Sequence, residues 1–240
     1  MNIQKGEYTH IGNRPVNEDS YSCAISSQQS ACAVLADGLG AHGGGNIASQ
    51  IAVQHMSQCA RQSSLPTRQQ IEEWIQDANR DILARQTDAC KMRTTLVFLS
   101  IVGKQAVWAH VGDSRLYHFY NGELADYTLD HSVPQVQVKT GEITRDEIRF
   151  SPDRSRLLRA VGAEDLRTDI HAPITLGPGR HAFLMCSDGF WEYVSDWEIW
   201  ADLHKSATPQ EWIDYLRCRG EMQKSGAIDN NTAVALYVDI

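Results

Sequence analysis

The chain has 240 residues, 42% of them hydrophobic, enough to bury a substantial core in one large domain or two small ones. Its 22 Lys and Arg against 30 Asp and Glu leave a net charge of −8 with no basic block, which argues against a nucleic-acid partner. No apolar run reaches the ~18 residues of a membrane span, no secretory leader opens the chain, and the cysteines form no Cys-x-x-Cys pair, so a soluble, cytoplasmic protein with reduced thiols is expected.

Residues 6–13 suggest a short strand, and Ser20–Ile25 a second, after the polar turn Arg14-Pro15-Val16-Asn17-Glu18-Asp19. The apolar run Ala31–Ala36 reads as a buried strand that delivers Asp37 into a glycine-rich turn, Gly38 to Gly45. Gly38 leaves the backbone open to a ligand, having no side chain to block approach. Helical spacing of apolar residues follows in Asn46–Cys59 and, more clearly, in 67–86, where Thr67 and Gln70 form a capping box. Thr95–Val102 and Ala106–Val111 read as a hairpin whose second strand ends at Gly112-Asp113-Ser114-Arg115. Leu116–Tyr120 and Glu123–Thr128 flank Asn121-Gly122, a strong two-residue turn signal.

Residues 132–160 are more polar and hold two short helical patterns, the second opened by Thr144 and Glu147; apolar content is too low for an independent core, so an inserted flap is expected. The strand His181–Cys186 delivers Ser187-Asp188-Gly189, and two capped helices open at Ser195 and at Thr208-Pro209. Asp229-Asn230-Asn231-Thr232 leads into a last strand, Ala233–Ile240. Strands, two helices, strands, flap, strand, two helices, strand is an order that favours an antiparallel or mixed sheet sandwich over a doubly wound parallel sheet.

Asp37, Asp113, Asp188 and Asp229 each stand at the end of an apolar strand. Strand ends of a sandwich converge on one edge, so these carboxylates can meet, joined by Glu18 and Asp19. So many like charges stay ionised together only if cations balance them. An oxygen-only ligand set selects hard ions such as Mg²⁺ or Mn²⁺. A pair of such ions about 3.5–4 Å apart activates water and clamps a phosphoryl group for in-line attack, and Arg14 would supply a planar donor for phosphate oxygens.

The ordered series Arg14-x-x-Asn17-Glu18-Asp19, Ala36-Asp37-Gly38-x-Gly40, Thr94-Thr95, Gly112-Asp113-Ser114-Arg115, Asp130-His131-Ser132, Ser187-Asp188-Gly189 and Asp229-Asn230-x-Thr232 resembles the metal-dependent protein Ser/Thr phosphatases (protein phosphatase type 2C) in their compact bacterial form. The resemblance covers nearly the whole chain. It implies an α+β fold, a four-layer α-β-β-α sandwich of two mostly antiparallel sheets between helix pairs, as one catalytic domain over 1–240 with a flap at 132–160. It further implies that Asp37 bridges two Mn²⁺ or Mg²⁺ ions, with the carbonyl of Gly38 beside it. Asp188 and Asp229 would complete one site, Glu18 the other, and Asp19 would orient coordinated water. Asp113 with Asp188 would hold a third, weaker ion, and Arg14 would grip the substrate phosphate. Relatives in eukaryotes carry histidine directly after the Asp-Gly pair as a proposed general acid; Leu39 stands here, with His42 nearby in sequence. Ala41 replaces a common glycine, and Arg93 stands where a glycine usually precedes Thr-Thr; neither change removes a ligand.

The expected function is hydrolysis of phosphoserine and phosphothreonine on proteins by direct water attack, in a cytoplasmic monomer opposing a bacterial Ser/Thr kinase. The main rival is a catalytically silent phosphoprotein-binding regulator of the same fold, which loss of a ligand acid would favour. A two-metal nuclease is the second rival, and the missing basic groove speaks against it.

Overall fold

The computed structural model describes residues 1–40, 43–60, 64–223 and 228–240. Its strands are β1 (Asn2–His10), β2 (Asp19–Ser27), β3 (Ser30–Asp37), β4 (Leu96–Val102), β5 (Gln105–Val111), β6 (Arg115–Tyr120), β7 (Glu123–Tyr127), β8 (Asp169–Ile170), β9 (Ile174–Thr175), β10 (Arg180–Cys186) and β11 (Asn231–Asp239). Its helices are α1 (Gly45–Cys59), α2 (Arg68–Leu83), α3 (Val133–Thr140), α4 (Asp188–Trp191), α5 (Asp196–Leu203) and α6 (Pro209–Gln223). One sheet runs β1-β11-β10-β6-β7; the other runs β2-β3-β4-β5-β8, with β9 also on β5, and the pairings in both are antiparallel.

The central strands β3, β4, β5, β6, β10 and β11 read as apolar runs because they are buried on both faces. In β3, Ala31, Ala33 and Leu35 point between the sheets, while Val34 and Ala36 pack under α1 and α2. In β11, Val234, Leu236 and Val238 enter the inter-sheet core, while Ala233, Ala235 and Tyr237 meet Trp212 and Leu216 of α6. The period-2 alternation of a strand thus generates three stacked cores and four layers: helices, sheet, sheet, helices. This is the expected α-β-β-α sandwich.

Local signals place most boundaries. Thr67 and Gln70 make the reciprocal capping box of α2, and Ser195 with Glu198 makes that of α5. Asn121 and Gly122 both have positive φ, the geometry a two-residue hairpin turn demands. The short helical segment opened by the Thr144–Glu147 capping box is present and of the 3₁₀ type, Arg145–Phe150. Two expectations need correction. The hairpin between β4 and β5 turns on Gly103-Lys104 alone, since Gln105 already pairs with Val102. The first strand starts at Asn2, not at residue 6, and its pattern is obscured because Gly6 sits where any side chain would strike the backbone of Pro209 and Gln210.

The segment 132–160 stands on the outer core of the β1-β11-β10-β6-β7 sheet, where Ile148 is buried beside partly buried Val138 and Ile143. Its base is pinned by Val133 N–H to Arg156 O at 2.9 Å and Leu158 N–H to His131 O at 2.8 Å. A polar chain reaches from it into the fold: Arg145 Nε donates to Asp196 at 2.7 Å, Tyr117 Oη donates to the same carboxylate at 2.9 Å, and Arg115 Nη1 donates to Tyr117 Oη at 3.2 Å. Arg115 is buried, forks onto Asp130 at 2.8 and 2.9 Å, and lies 3.6 Å from the ring centroid of Trp191. Removing the carboxylate alone would strand a buried guanidinium. Asp130→Ala is expected to cost about 3–5 kcal/mol in urea unfolding, and the paired Arg115→Met/Asp130→Leu change clearly less.

Candidate metal centre

The acids converge as the strand ends predicted. Asp37 closes β3, Asp113 lies just past β5, Asp188 opens α4 directly after β10, and Asp229 precedes β11. Glu18 and Asp19 arrive at the start of β2, where Asp19 pairs in register with Asp37. Asp37, Asp188, Asp229, Glu18 and Gly38 line one cleft of about 1180 Å³, together with Arg14. Asp19 and Asp113 are buried close enough to feel the cleft acids' charge.

Short side chains from distant segments fix each acid. Asp37 is held at its backbone: its N–H donates to Thr95 Oγ1 at 2.9 Å, and its carbonyl accepts from Thr95 N–H and Thr94 Oγ1, both at 2.8 Å. Thr95 Oγ1 in turn meets Ser114 Oγ at 2.7 Å, beside Asp113. Ser187 Oγ donates to Asp19 Oδ2 at 2.8 Å and accepts from Thr232 N–H at 3.0 Å. Asn230 is a three-way clamp. It accepts from Glu18 N–H at 2.8 Å and donates to the carbonyls of Ile11 and Val16 at 2.7 and 3.1 Å. Gly38 and Gly40 permit the crowding, since a Cβ on Gly38 would enter the backbone of Gly45 and one on Gly40 would enter the Glu18 carboxylate.

Electrostatics shows what this arrangement lacks. Burial, then the charges of Asp188, Asp19 and Asp113, push the Asp37 carboxyl well above the usual range. Burial and neighbouring acids also raise Asp113, and burial and Asp229 raise Asp188. Asp19 is pushed up to about 7, chiefly by burial, and its Oδ1 is buried with no hydrogen-bond partner. The Asp188 charge is, after burial, the largest cause that raises Asp37, so two buried carboxyls stand close together. Glu18 is raised by burial although the N–H groups of Gly45 and Asn46, at the start of α1, donate to it. Arg14 Nη2 reaches Asp229 Oδ2 at 2.6 Å. An orphaned carboxylate oxygen, buried acids that raise one another and an oxygen-only donor set together fit hard divalent cations.

A second polar cluster, His110, His131 and Asp169, resembles a ligand set but is already satisfied. Gly112 N–H donates to His131 Nδ1 at 3.1 Å, so the ring's proton sits on Nε2, 3.1 Å from Asp169 Oδ2. Burial, then His110, lowers His131 to about 4, keeping that ring neutral at pH 7. The other Asp169 oxygen accepts from Arg159 at 2.8 Å. A cation would have to displace the Nε2 proton, so this group is a structural clamp between β5, β8 and Arg159 in the cleft wall.

The sequence named the acids and Arg14. It assigned no role to Thr95, Ser187 or Asn230, although all three lie in its motifs. Leu39 stands half-buried after Gly38, while His42 and Ala41 lie outside the described residues.

A family model described as protein phosphatase 2C matches residues 7–218. The serine/threonine phosphatase stp of Listeria monocytogenes serotype 4b (strain F2365) is 31% identical over 232 residues, covering 93% of this chain and 91% of the relative. Among solved structures, the serine/threonine phosphatase PstP/Ppp of Mycobacterium tuberculosis matches with a TM-score of 0.86 and 26% identity, covering 100% of both chains. The catalytic domain of PstP in complex with two manganese ions matches with a TM-score of 0.83 and 26% identity, covering 99% of each chain.

Protons and cations compete for these carboxylates, so their effects on stability oppose. The raised acids stabilise the ion-free fold most below pH 4, and that contribution is lost as pH rises through their raised values, about 7 for Asp19. Mn²⁺ is therefore expected to raise the melting temperature little at pH 5 and strongly at pH 7.5, as scanning fluorimetry reads directly.

Proposed function

This chain belongs to the protein phosphatase 2C family, and from that premise we propose how its own residues carry out the reaction. The chain is a metal-dependent protein serine/threonine phosphatase, a hydrolase of phosphoserine and phosphothreonine in proteins. The observation that carries this reading is the convergence of Glu18, Asp19, Asp37, Asp113, Asp188 and Asp229 on one end of the sandwich, with Arg14 at the cleft. Retention of every acid disfavours a silent phosphoprotein-binding regulator.

In this reading Asp37, Asp188 and Asp229 would hold one Mn²⁺ or Mg²⁺, Asp37 and Glu18 a second, and Asp113 with Asp188 a third, the Gly38 carbonyl being lent beside Asp37. Ions held there supply Lewis acidity, lowering the pKa of water and neutralising phosphoryl charge. The protein's part is positional. Thr94 and Thr95 fix the Asp37 backbone, Ser187 and Thr232 orient Asp19 towards a water, and Asn230 keeps Glu18 beside Asp229. Arg14 is exposed enough to swing from Asp229 to a substrate phosphate once a cation neutralises that carboxylate. The water oxygen bonds to phosphorus as the phosphorus–oxygen bond to serine or threonine breaks; Leu39 has no proton to give, so the departing alkoxide takes its proton from water, matching the one the attacking water gives up, and inorganic phosphate leaves. Residues 132–160 form a flap that borders the cleft through Arg156, Leu157 and Leu158. We further assign a cytoplasmic, monomeric enzyme opposing a Ser/Thr kinase, consistent with the absence of a helix long and apolar enough to cross a membrane among the described residues.

Phosphate release from p-nitrophenyl phosphate and a phosphothreonine peptide tests the assignment. Turnover with Mn²⁺ should vanish in EDTA and fall roughly thousandfold in Asp37→Asn and Asp188→Asn, as loss of several kcal/mol of charge stabilisation requires. Arg14→Ala should lower kcat/KM about 10- to 100-fold, since a guanidinium–phosphate contact is charge-assisted. Metal-independent turnover, or full activity in Asp37→Asn, would contradict the assignment.

A further inference from the structure

The arginines that line the cleft divide into two kinds. Arg14 is held by Asp229 at 2.6 Å, Arg156 by Asp153 at 3.1 Å and Arg159 by Asp169 at 2.8 Å. Arg93 is exposed, lines the same cleft, and forms no side-chain hydrogen bond or ion pair among the described residues. Its neighbour Lys91, also on the cleft, has only Asp88 at 3.7 Å.

The Arg93 backbone is far from loose. Its carbonyl accepts from Leu39 N–H at 2.9 Å, one residue past Gly38. The next residue, Thr94, pairs with Val161 in both directions at 3.0 and 2.8 Å and donates from Oγ1 to the Asp37 carbonyl at 2.8 Å. An uncommitted guanidinium therefore projects from a backbone tied directly to the residue at the heart of the metal centre. A cation held in register with the reacting centre, with no internal counter-ion, is suited to a second anion on the substrate.

We propose that Arg93, assisted by Lys91, binds an anionic group flanking the phosphorylated residue, so that the enzyme favours phosphopeptides carrying an acidic side chain or a second phosphate. This rests on the phosphatase reading above. Glu164 and Asp165 line the same cleft and attract basic flanks, the opposite preference, which the Lys peptide below reads.

The test compares kcat/KM for four phosphothreonine peptides with Mn²⁺, identical except that the flanking positions carry Glu, phosphoserine, Gln or Lys. Ratios within each protein are read, so a general loss of activity in a variant does not matter. Wild type should prefer Glu over Gln by about three- to tenfold, the range of a part-exposed, charge-assisted pair. Arg93→Ala should bring that ratio close to one, and Arg93→Glu should invert it. A phosphoserine gain well above the Glu gain would identify the second phosphate as the anion recognised. An unchanged ratio in Arg93→Ala, no preference in wild type, or a preference for Lys would overturn the proposal. Absence of Mn²⁺-dependent turnover of every peptide and of p-nitrophenyl phosphate would contradict the phosphatase reading instead. Fluorescence-polarisation binding of the same peptides then decides the Arg93 contact independently.

Discussion

Negative charge is concentrated at one end of this sandwich beyond what the protein's own cations neutralise. Asp37 and Asp188 are both held above the usual carboxylate range, Asp19 leaves an oxygen buried and unpaired, and Arg14 is the guanidinium paired with one of these acids among the described residues. Unpaired buried carboxylates are costly, and a fold keeps them where function requires it. The rest of the architecture can be understood as the frame that makes that crowding possible.

The frame is built on central strands buried on both faces. Their dual burial fixes register tightly, because a one-residue slip would exchange the inter-sheet face for the helix-packed face. Rigid strands deliver acids to fixed points, and small polar side chains finish the positioning. Thr94 and Thr95 hold the backbone of Asp37, Ser187 joins Asp19 to the last strand, and Asn230 ties the stretch 11–18 to the start of the last strand at the opposite end of the chain. The polar chain Arg145–Asp196–Tyr117–Arg115–Asp130 extends the same stiffness to the segment bordering the cleft.

Much of this was legible in the amino-acid order. Apolar runs ending in Asp-Gly or Asp-Ser announce both a strand and a carboxylate at its mouth, and capping boxes at Thr67 and Ser195 mark helix starts by local chemistry alone. Where local signals fail, the cause is visible. Strands β8 and β9 are two residues long, too short for any periodicity, and exist because β5 offers them an edge. The clamp at Asn230 joins residues more than 200 positions apart, and the Arg115–Asp130 fork is decided by burial that no short window reveals. Arg93 was legible as an unusual residue, but only its position on the cleft, without a partner, gives it a meaning.

The most direct test of the central claim is calorimetric titration of Mn²⁺ into the metal-free protein at pH 7 in two buffers of different ionisation enthalpy. If Asp37, Asp188 and Asp19 hold protons until cations displace them, binding must release protons, and the apparent enthalpy must differ between buffers accordingly. Binding with no proton release, or no Mn²⁺ binding by folded protein, would contradict the account.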